Sequence, residues 1–250
     1  MSASFEEALD ATRGVEGWLS DDQARVLWER ARAVPAGGRI VEIGSYRGRS
    51  AIVLAHGAAS AGVVVVAIDP HAGNDRGPRQ IRGTSEEGAA DNAAFHANLE
   101  RAGVADAVRH LRRASREALD DVPGQVDLLY VDGAHRFGPA RDDIVRWGRR
   151  VRPGGTLLVH DAFSSIGVTA ALLSALVLGR EFAYAGRSRS LAEYRRAEAP
   201  LTARERARNA ARQLAQLPWF ARNVLVKLAL VLRARPLARL LGHRSDEWPY

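Results

Sequence analysis

Two short segments of the sequence each place a carboxylate and an imidazole close together. Asp132 and His135 lie in the stretch VDGAH, and His160 and Asp161 are adjacent in the stretch VHDAF. Carboxylate oxygens suit Mg²⁺, which prefers octahedral oxygen coordination. A neutral imidazole such as that of His135 can accept a proton near neutral pH. The four residues are therefore candidates for metal-assisted proton abstraction. Alternatively, Asp132 could cap a helix, His135 could be a surface loop histidine and His160 a hydrogen-bonded core histidine.

A third segment, RIVEIGSYRGRSAIVLA at residues 39–55, combines a carboxylate with two glycines. Gly44 and Gly48 permit a tight turn and a close approach of ligand to backbone. Glu42 can accept a hydrogen bond from an amine or hydroxyl that lies over the turn, or it can cap the turn itself. The spacing is G-x-x-x-G, not the G-x-G-x-x-G that seats a pyrophosphate, and this disfavours a dinucleotide site.

Two later segments add groups that suit a nucleoside. Asp69, in the stretch AIDP, can accept hydrogen bonds from both hydroxyls of a ribose at the end of a strand. Ser115, in the stretch RRAS, is a small polar residue that could flank an adenine, and His71 is placed to touch cofactor or substrate. One nucleoside with a neutral or cationic tail would satisfy these groups.

All of these residues fall at the ends of predicted strands. Short apolar runs alternate with helical segments from RIVEIG to TLLVHD, and EFAYAGRSRSLAEYRR predicts a closing pair of strands. The unbroken run VVVVAID is typical of a strand with both faces covered. The alternation predicts an α/β, Rossmann-like doubly wound fold, with a mostly parallel seven-stranded sheet and helices on both faces. Ligands of such sheets bind beyond the carboxyl ends of the strands.

Taken in order, these motifs resemble those of a class I S-adenosylmethionine-dependent methyltransferase. The motifs are Glu42-x-Gly44-x-x-x-Gly48, Asp69, VDGAH and RPGGTLLVHD. More specifically, they resemble the metal-dependent sugar O-methyltransferases of methyltransferase family 24, over about residues 18–196. The resemblance implies S-adenosylmethionine as cofactor, Mg²⁺ as metal, and a hydroxyl of a sugar, glycan or glycolipid as methyl acceptor.

The resemblance also implies a role for each motif. The first turn would hold the methionine part of the cofactor, Asp69 the ribose, and Ser115 would lie near the adenine. The residues expected to contact the cofactor are Glu42, Gly44, Ser45, Gly48, Ser50, Asp69, His71, Ser115 and Asp132. Asp132 would bind the metal together with Asp161 and His160, and His135 would be the general base. Family members usually carry two acids at the second strand end, and His160 in place of one leaves the metal's third ligand open.

Composition and breaks in the pattern predict three regions. These are an N-terminal helical cap at 1–37, a cofactor-binding methyltransferase domain at 38–197 and a basic amphipathic helical tail at 198–250. Within the domain, a short helix is predicted at 115–121, and Arg152-Pro153-Gly154-Gly155 is predicted to separate a helix from the strand TLLVHD. The polar loop 71–90 is too long for a mere connector, and it is predicted to be a lid or a mobile insertion.

The net charge of +7 arises entirely from residues 201–250. Residues 1–200 contain 26 basic and 26 acidic residues, whereas residues 201–250 contain 10 and 3. Residues 201–241 predict helices with a broad apolar face, an opposite arc containing Arg222, Lys227 and Arg233, and aromatic residues at one end. This pattern favours a helix at a membrane surface, which would place a cytoplasmic protein at the inner face of the plasma membrane. Packing on its own domain, or in a homo-oligomer interface, is the alternative.

Other classes of function fit the sequence less well. The chain has no cysteine, which excludes disulfides and zinc–thiolate sites, and its first residues lack the apolar core of a signal peptide. No basic stripe outside the tail indicates nucleic acid, and VDGAH differs from the Asn/Asp-Pro-Pro-Tyr/Phe motif of enzymes that methylate bases. No Tyr-x-x-x-Lys pair supports an NAD-dependent oxidoreductase. A methyltransferase for non-sugar small molecules, or a membrane-attached nucleoside-binding protein without catalysis, are the remaining alternatives.

Overall fold

The computed structural model describes residues 4–73 and 83–243. The strands within them are β1 (Ile40–Ile43), β2 (Val65–Ile68), β3 (Val108–Leu111), β4 (Val126–Val131), β5 (Val151–Val159), β6 (Phe182–Ser188) and β7 (Leu191–Arg196). The α-helices are α1 (Phe5–Ala11), α2 (Asp21–Arg32), α3 (Arg49–Ala58), α4 (Ser85–Arg101), α5 (Phe137–Gly148), α6 (Ile166–Leu176), α7 (Ala203–Leu214), α8 (Leu217–Val231) and α9 (Arg235–Leu240).

The seven strands form one sheet in the order β3-β2-β1-β4-β5-β7-β6. Strands β1 to β5 are parallel, and β7 pairs antiparallel with both β5 and β6. This confirms the predicted fold class. The register aligns Ile43, the last residue of β1, with Ile68 and Val131, the last residues of β2 and β4. The loops after these strands therefore leave the sheet side by side, which brings the candidate residues together.

Two apolar clusters, one on each face of the sheet, hold the helices in place. Phe5 of α1 and Leu27 of α2 pack in the same cluster as α3 and the buried face of β1. Trp147 of α5 and Phe163 belong to the cluster on the other face. Capping boxes at Ser20, Thr84 and Thr202 begin α2, α4 and α7, and each satisfies backbone N–H groups at the start of its helix.

Three local predictions differ from the structure. The predicted helix at 115–121 is only a 3₁₀ turn at Leu119–Asp121, because Ser115 is held by hydrogen bonds to α5. The segment Arg152-Pro153-Gly154-Gly155 is not a break, because it belongs to β5, which begins at Val151 and pairs irregularly with β4. The predicted lid at 71–90 lies partly outside the described residues, and its C-terminal part is the start of α4.

The tail folds back on the sheet. Asn209 of α7 accepts a hydrogen bond from the backbone N–H of Tyr184 (2.7 Å) and donates one to the carbonyl of Phe182 (3.1 Å), both in β6. The Tyr194 hydroxyl donates to the buried Gln213. The stretch 203–231 is long and apolar enough to cross a membrane by length and composition alone. The fold divides this stretch into α7 and α8, and polar side chains of α7 attach it to β6 and β7. The alternative that the tail packs on its own domain is therefore correct for α7.

Candidate active site

The turn between β1 and α3 depends on its two glycines, which approach other parts of the protein. Gly44 has a φ of +85°, and a Cβ atom there would collide with the carbonyl of Asp132. Gly48 has a φ of +87°, and a Cβ atom would lie 3.2 Å from the ring of Phe95. The glycines were predicted to admit a ligand. Here Gly44 brings the turn against the end of β4, and Gly48 seats α3 against α4.

Asp69 ties the end of β2 to the same turn. One carboxylate oxygen accepts hydrogen bonds from the backbone N–H groups of Ser45 and Tyr46, each at 2.9 Å. The other accepts from the N–H of His71 at 2.8 Å. Asp69 therefore lies at the predicted edge of the sheet, where it fixes the shape of the turn. A carboxylate has about four lone-pair sites, so it retains acceptor capacity for a hydroxyl.

Glu42 is a fully buried acid. Neither of its oxygens, nor the hydroxyl oxygen of Ser45, has a hydrogen-bond partner of good geometry among the described residues. Burial raises the pKa of Glu42 to about 8, and the nearby hydroxyls of Ser50 and Ser45 only partly offset this. Buried polar atoms without partners are costly and rare. Their cluster beneath the glycine turn fits a site that receives hydrogen bonds from a ligand, such as the amine of a cofactor.

Two histidine–carboxylate pairs occupy the ends of β4 and β5. His135 Nε2 lies 3.0 Å from Asp161 Oδ2, and His160 Nδ1 lies 3.2 Å from Asp132 Oδ1. The second oxygen of Asp132 accepts a hydrogen bond from the Tyr130 hydroxyl at 2.8 Å. The structure thus brings together all four residues singled out at these strand ends. Sequence reasoning missed Tyr130, although it lies two residues before Asp132 and therefore on the same face of β4.

The pairs differ in exposure and charge. His160 is buried, and burial alone would lower its pKa, but the charge and hydrogen bond of Asp132 raise it to about 9. Burial also opposes the charge on His135, yet the hydrogen bond to Asp161 raises its pKa above the usual value. Burial would raise the pKa of Asp161, but the two histidines hold it well below its usual range. The His135 side chain is 35% exposed, so it is the one of the two that a substrate can reach.

The donor set does not fit the predicted magnesium site. Both oxygens of Asp132 are engaged, one by Tyr130 and one by His160, and one oxygen of Asp161 is paired with His135. Within residues 4–73 and 83–243, no group of three or more His, Asp or Glu side chains is arranged to hold a metal ion. The prediction of Mg²⁺, with Asp132, Asp161 and His160 as ligands, is therefore not supported. His160 Nδ1 instead lies 3.2 Å from Asp132 Oδ1.

Two further predicted contacts have other partners in the structure. The Ser115 hydroxyl donates to Asp143 of α5, a buried acid whose pKa is raised by burial to about 6. The His71 ring is buried, its Nε2 lies 2.7 Å from the carbonyl of Tyr46, and it packs against His110. Both residues lie in loops that follow strands, and these contacts support the loops themselves.

Known proteins share this sequence pattern and fold. Residues 41–162, just under half of the chain, match the family described as "Methyltransferase domain". An uncharacterized protein, y4gI, from Sinorhizobium fredii (strain NBRC 101917 / NGR234) is 41% identical over 54 residues, which are 21% of this chain and 6% of that protein. The chain therefore spans only a small part of the length of this curated relative.

Three solved structures share the fold at low sequence identity. Cofactor-bound Rv0187 from MTB is 21% identical, with a TM-score of 0.51 over 78% of this chain and 88% of that one. The O-methyltransferase NovP is 18% identical, with a TM-score of 0.55 over 71% and 81%. The SAH-bound methyltransferase PaMTH1 from Podospora anserina is 18% identical, with a TM-score of 0.54 over 77% and 87%.

Proposed function

We propose that residues 41–162, which match the family described as "Methyltransferase domain", bind S-adenosylmethionine as class I methyltransferases do, and that the protein methylates a hydroxyl group of a sugar or glycan. The observation that carries this proposal is the His135–Asp161 pair, 3.0 Å apart, at the carboxyl edge of the sheet beside the glycine turn. A hydroxyl is a weak nucleophile, and a histidine oriented by a carboxylate is suited to remove its proton.

The glycine turn and its neighbours are the proposed cofactor site. The amine and hydroxyl groups of S-adenosylmethionine would meet the unpartnered oxygens of Glu42 and Ser45 and the spare acceptor capacity of Asp69. The remaining proposed contacts are Gly44, Gly48, Ser50, His71, Ser115 and Asp132. When bound, S-adenosylmethionine supplies an electrophilic methyl group on a positively charged sulfur.

His135 is the proposed general base. Its Nε2–H donates to Asp161, which fixes the tautomer and leaves the lone pair on Nδ1 for the acceptor hydroxyl. The proton of that hydroxyl would pass to Nδ1 as the oxygen takes the methyl group, whose bond to sulfur breaks to release S-adenosylhomocysteine. Asp161 would stabilise the resulting imidazolium. Because its pKa is raised, His135 is a base only when the pH exceeds that value. The rate should therefore fall as the pH is lowered through this raised pKa.

The nature of the acceptor rests on the resemblance to sugar O-methyltransferases, whose D-x-x-H layout Asp132 and His135 share. The partly exposed side chains of both residues allow an acceptor to approach. A non-sugar small molecule is the alternative acceptor, because the base chemistry is the same for any hydroxyl. The magnesium that the resemblance implies has no place in this proposal, since the carboxylates are engaged by His160, Tyr130 and His135.

A membrane surface is the proposed second partner, at the inner face of the plasma membrane. The outer face of α8 exposes three leucines, with exposed fractions of 48% at Leu225, 52% at Leu228 and 66% at Leu232. Arg233, Arg235 and Arg239 are exposed nearby. Apolar side chains flanked by cations suit an anionic lipid surface.

Two of the predicted lipid-facing cations have other roles. Lys227 donates to the carbonyl of Ser164 and Arg222 to that of Leu241. Sedimentation with vesicles of phosphatidylserine, compared with phosphatidylcholine alone, tests the membrane proposal. If the protein sediments with neither kind of vesicle but is a dimer by light scattering, the result would favour the alternative, in which a second copy covers the leucines.

Transfer of labelled methyl from S-adenosylmethionine tests the proposed reaction. The acceptors are free sugars, membrane glycolipid extracts and phenolic compounds, each with native protein and with His135→Gln. We expect label in a sugar-containing product and a loss of about 10²- to 10⁴-fold in rate for the variant. Label only in phenols would favour the non-sugar alternative. Cofactor binding without transfer to any acceptor would favour a binding protein.

A further inference from the structure

Helix α8, which lies outside the matched segment 41–162, contacts the turn that carries Asp161. The Asn223 side-chain amide donates to the carbonyl of Phe163 at 3.3 Å, and Lys227 Nζ donates to the carbonyl of Ser164 at 3.0 Å. Asn223 is fully buried. Residues four apart on a helix share a face, so both side chains point at the turn from one side.

The turn itself has an unusual backbone conformation. Asp161 and Phe163 have φ values of 55° and 56°, in the left-handed region that non-glycine residues rarely adopt. Such residues cost about 1–3 kcal/mol each and persist only where the surroundings hold them. The N–H of Ala162 donates to the carbonyl of Ser190 on the sheet side. Asn223 and Lys227 donate to the carbonyls of Phe163 and Ser164.

Lys227 is distinctive within the composition of the chain. It is the one lysine among 36 basic residues, and all the others are arginine. Its compact ammonium can donate to a backbone carbonyl where a planar guanidinium needs more space. Burial lowers its pKa, and the negative charge of Asp161 acts against that shift. The tail therefore places a cation close to the carboxylate that orients the proposed base.

We propose that α8 is a clamp on the turn 161–165, and that Asn223 and Lys227 are positioning residues for the His135–Asp161 pair. By fixing the carbonyls of Phe163 and Ser164, they fix the direction of the Asp161 side chain and hence the ring of His135. A displacement of about 1 Å at a reacting group can cost 10²-fold in rate. The effect on methyl transfer rests on the proposed function, whereas the clamp does not.

Hydrogen exchange, read by mass spectrometry on full-length protein, tests the clamp without any assay of activity. The variants are Asn223→Leu and Lys227→Met, which keep approximate size and remove the donors. Lys227→Arg is the conservative variant, and Arg204→Met, at an exposed cation of α7, is the matched control. We expect exchange about tenfold faster in the peptide that covers 161–165 for the first two variants. Peptides from β1 and β2 should be unchanged in all four.

Steady-state kinetics then separate positioning from a general loss of structure. We expect kcat to fall about tenfold in Asn223→Leu and Lys227→Met, with the KM for S-adenosylmethionine unchanged, and Lys227→Arg to recover part of the loss. Unchanged exchange in both variants overturns the clamp. If exchange in the 161–165 peptide is faster in these variants but their kcat equals that of native protein, the positioning role is overturned. If native protein methylates no acceptor, the proposed function has failed, and the exchange result still decides the clamp.

Discussion

Replacing Glu42 with glutamine should stabilise the cofactor-free protein and weaken its binding of cofactor. The Glu42 carboxyl is fully buried, and burial raises its pKa to about 8 from a value of 4.5 in a solvated chain. Between these two values the folded protein keeps a proton that the unfolded chain releases. The free energy of unfolding therefore falls as the pH rises through this window.

The size of this effect follows from the two pKa values. One pH unit of differential protonation corresponds to about 1.4 kcal/mol. The 2.5 units between 4.5 and 7 thus correspond to roughly 3 kcal/mol lost at pH 7, and the loss reaches roughly 4 kcal/mol at pH 8. Glutamine has the same shape and does not ionise, so Glu42→Gln escapes this loss.

Urea unfolding gives the free energy of unfolding of native protein and of Glu42→Gln at pH 5, 6, 7 and 8. The difference between the two proteins at each pH isolates Glu42, because the contributions of the other titrating groups cancel. The stability advantage of the variant should grow by roughly 3 kcal/mol from pH 5 to pH 8. Glu86→Gln, which removes an exposed carboxylate from α4, controls for the loss of one negative charge. Parallel stability profiles for native protein and Glu42→Gln would refute the assignment of Glu42 as a buried, protonated acid.

Three further predictions concern the turn, the tail and the metal. Gly44→Ala should lower the free energy of unfolding by about 3 kcal/mol or more, because the new Cβ would collide with the Asp132 carbonyl, and thermal unfolding measures this. Asn209→Ala should cost about 2 kcal/mol in urea unfolding, because two backbone groups of β6 lose their partner, and an unchanged midpoint would contradict the docking of α7. Chelation by EDTA should leave the methyl-transfer rate unchanged, whereas a tenfold loss restored by Mg²⁺ would contradict the pairing of Asp132 with His160.

The fold and the location of the site follow from local signals in the sequence. Apolar runs alternate with helical segments, and parallel strands place their carboxyl ends along one edge. Glu42 lies one residue before the end of β1, and Asp69, Asp132 and Asp161 follow β2, β4 and β5, so their proximity could be predicted without knowing the loops. The closing pair of strands was also predicted, from the stretch EFAYAGRSRSLAEYRR.

The pairing of the side chains could not be predicted in the same way. Strand-end position does not show whether two carboxylates share a metal or each accept a histidine, since that depends on distances of an ångström or less. The sequence gives no direct signal that Asn223 and Lys227 reach a turn some sixty residues earlier. Their one local signal is polarity on a mostly apolar helix. For Lys227 it was interpreted as part of a membrane-facing arc, and Asn223 was assigned no role.

Calorimetric titration of S-adenosylhomocysteine into the purified protein tests the central claim most directly. It is done first in EDTA, then in Mg²⁺, and repeated with Glu42→Gln. The account predicts one site per chain, equal affinity in both metal conditions, and weaker binding by the variant, whose amide cannot ionise to meet the ligand's amine. Absence of binding by native protein in both conditions would contradict the assignment of the glycine turn as the cofactor site.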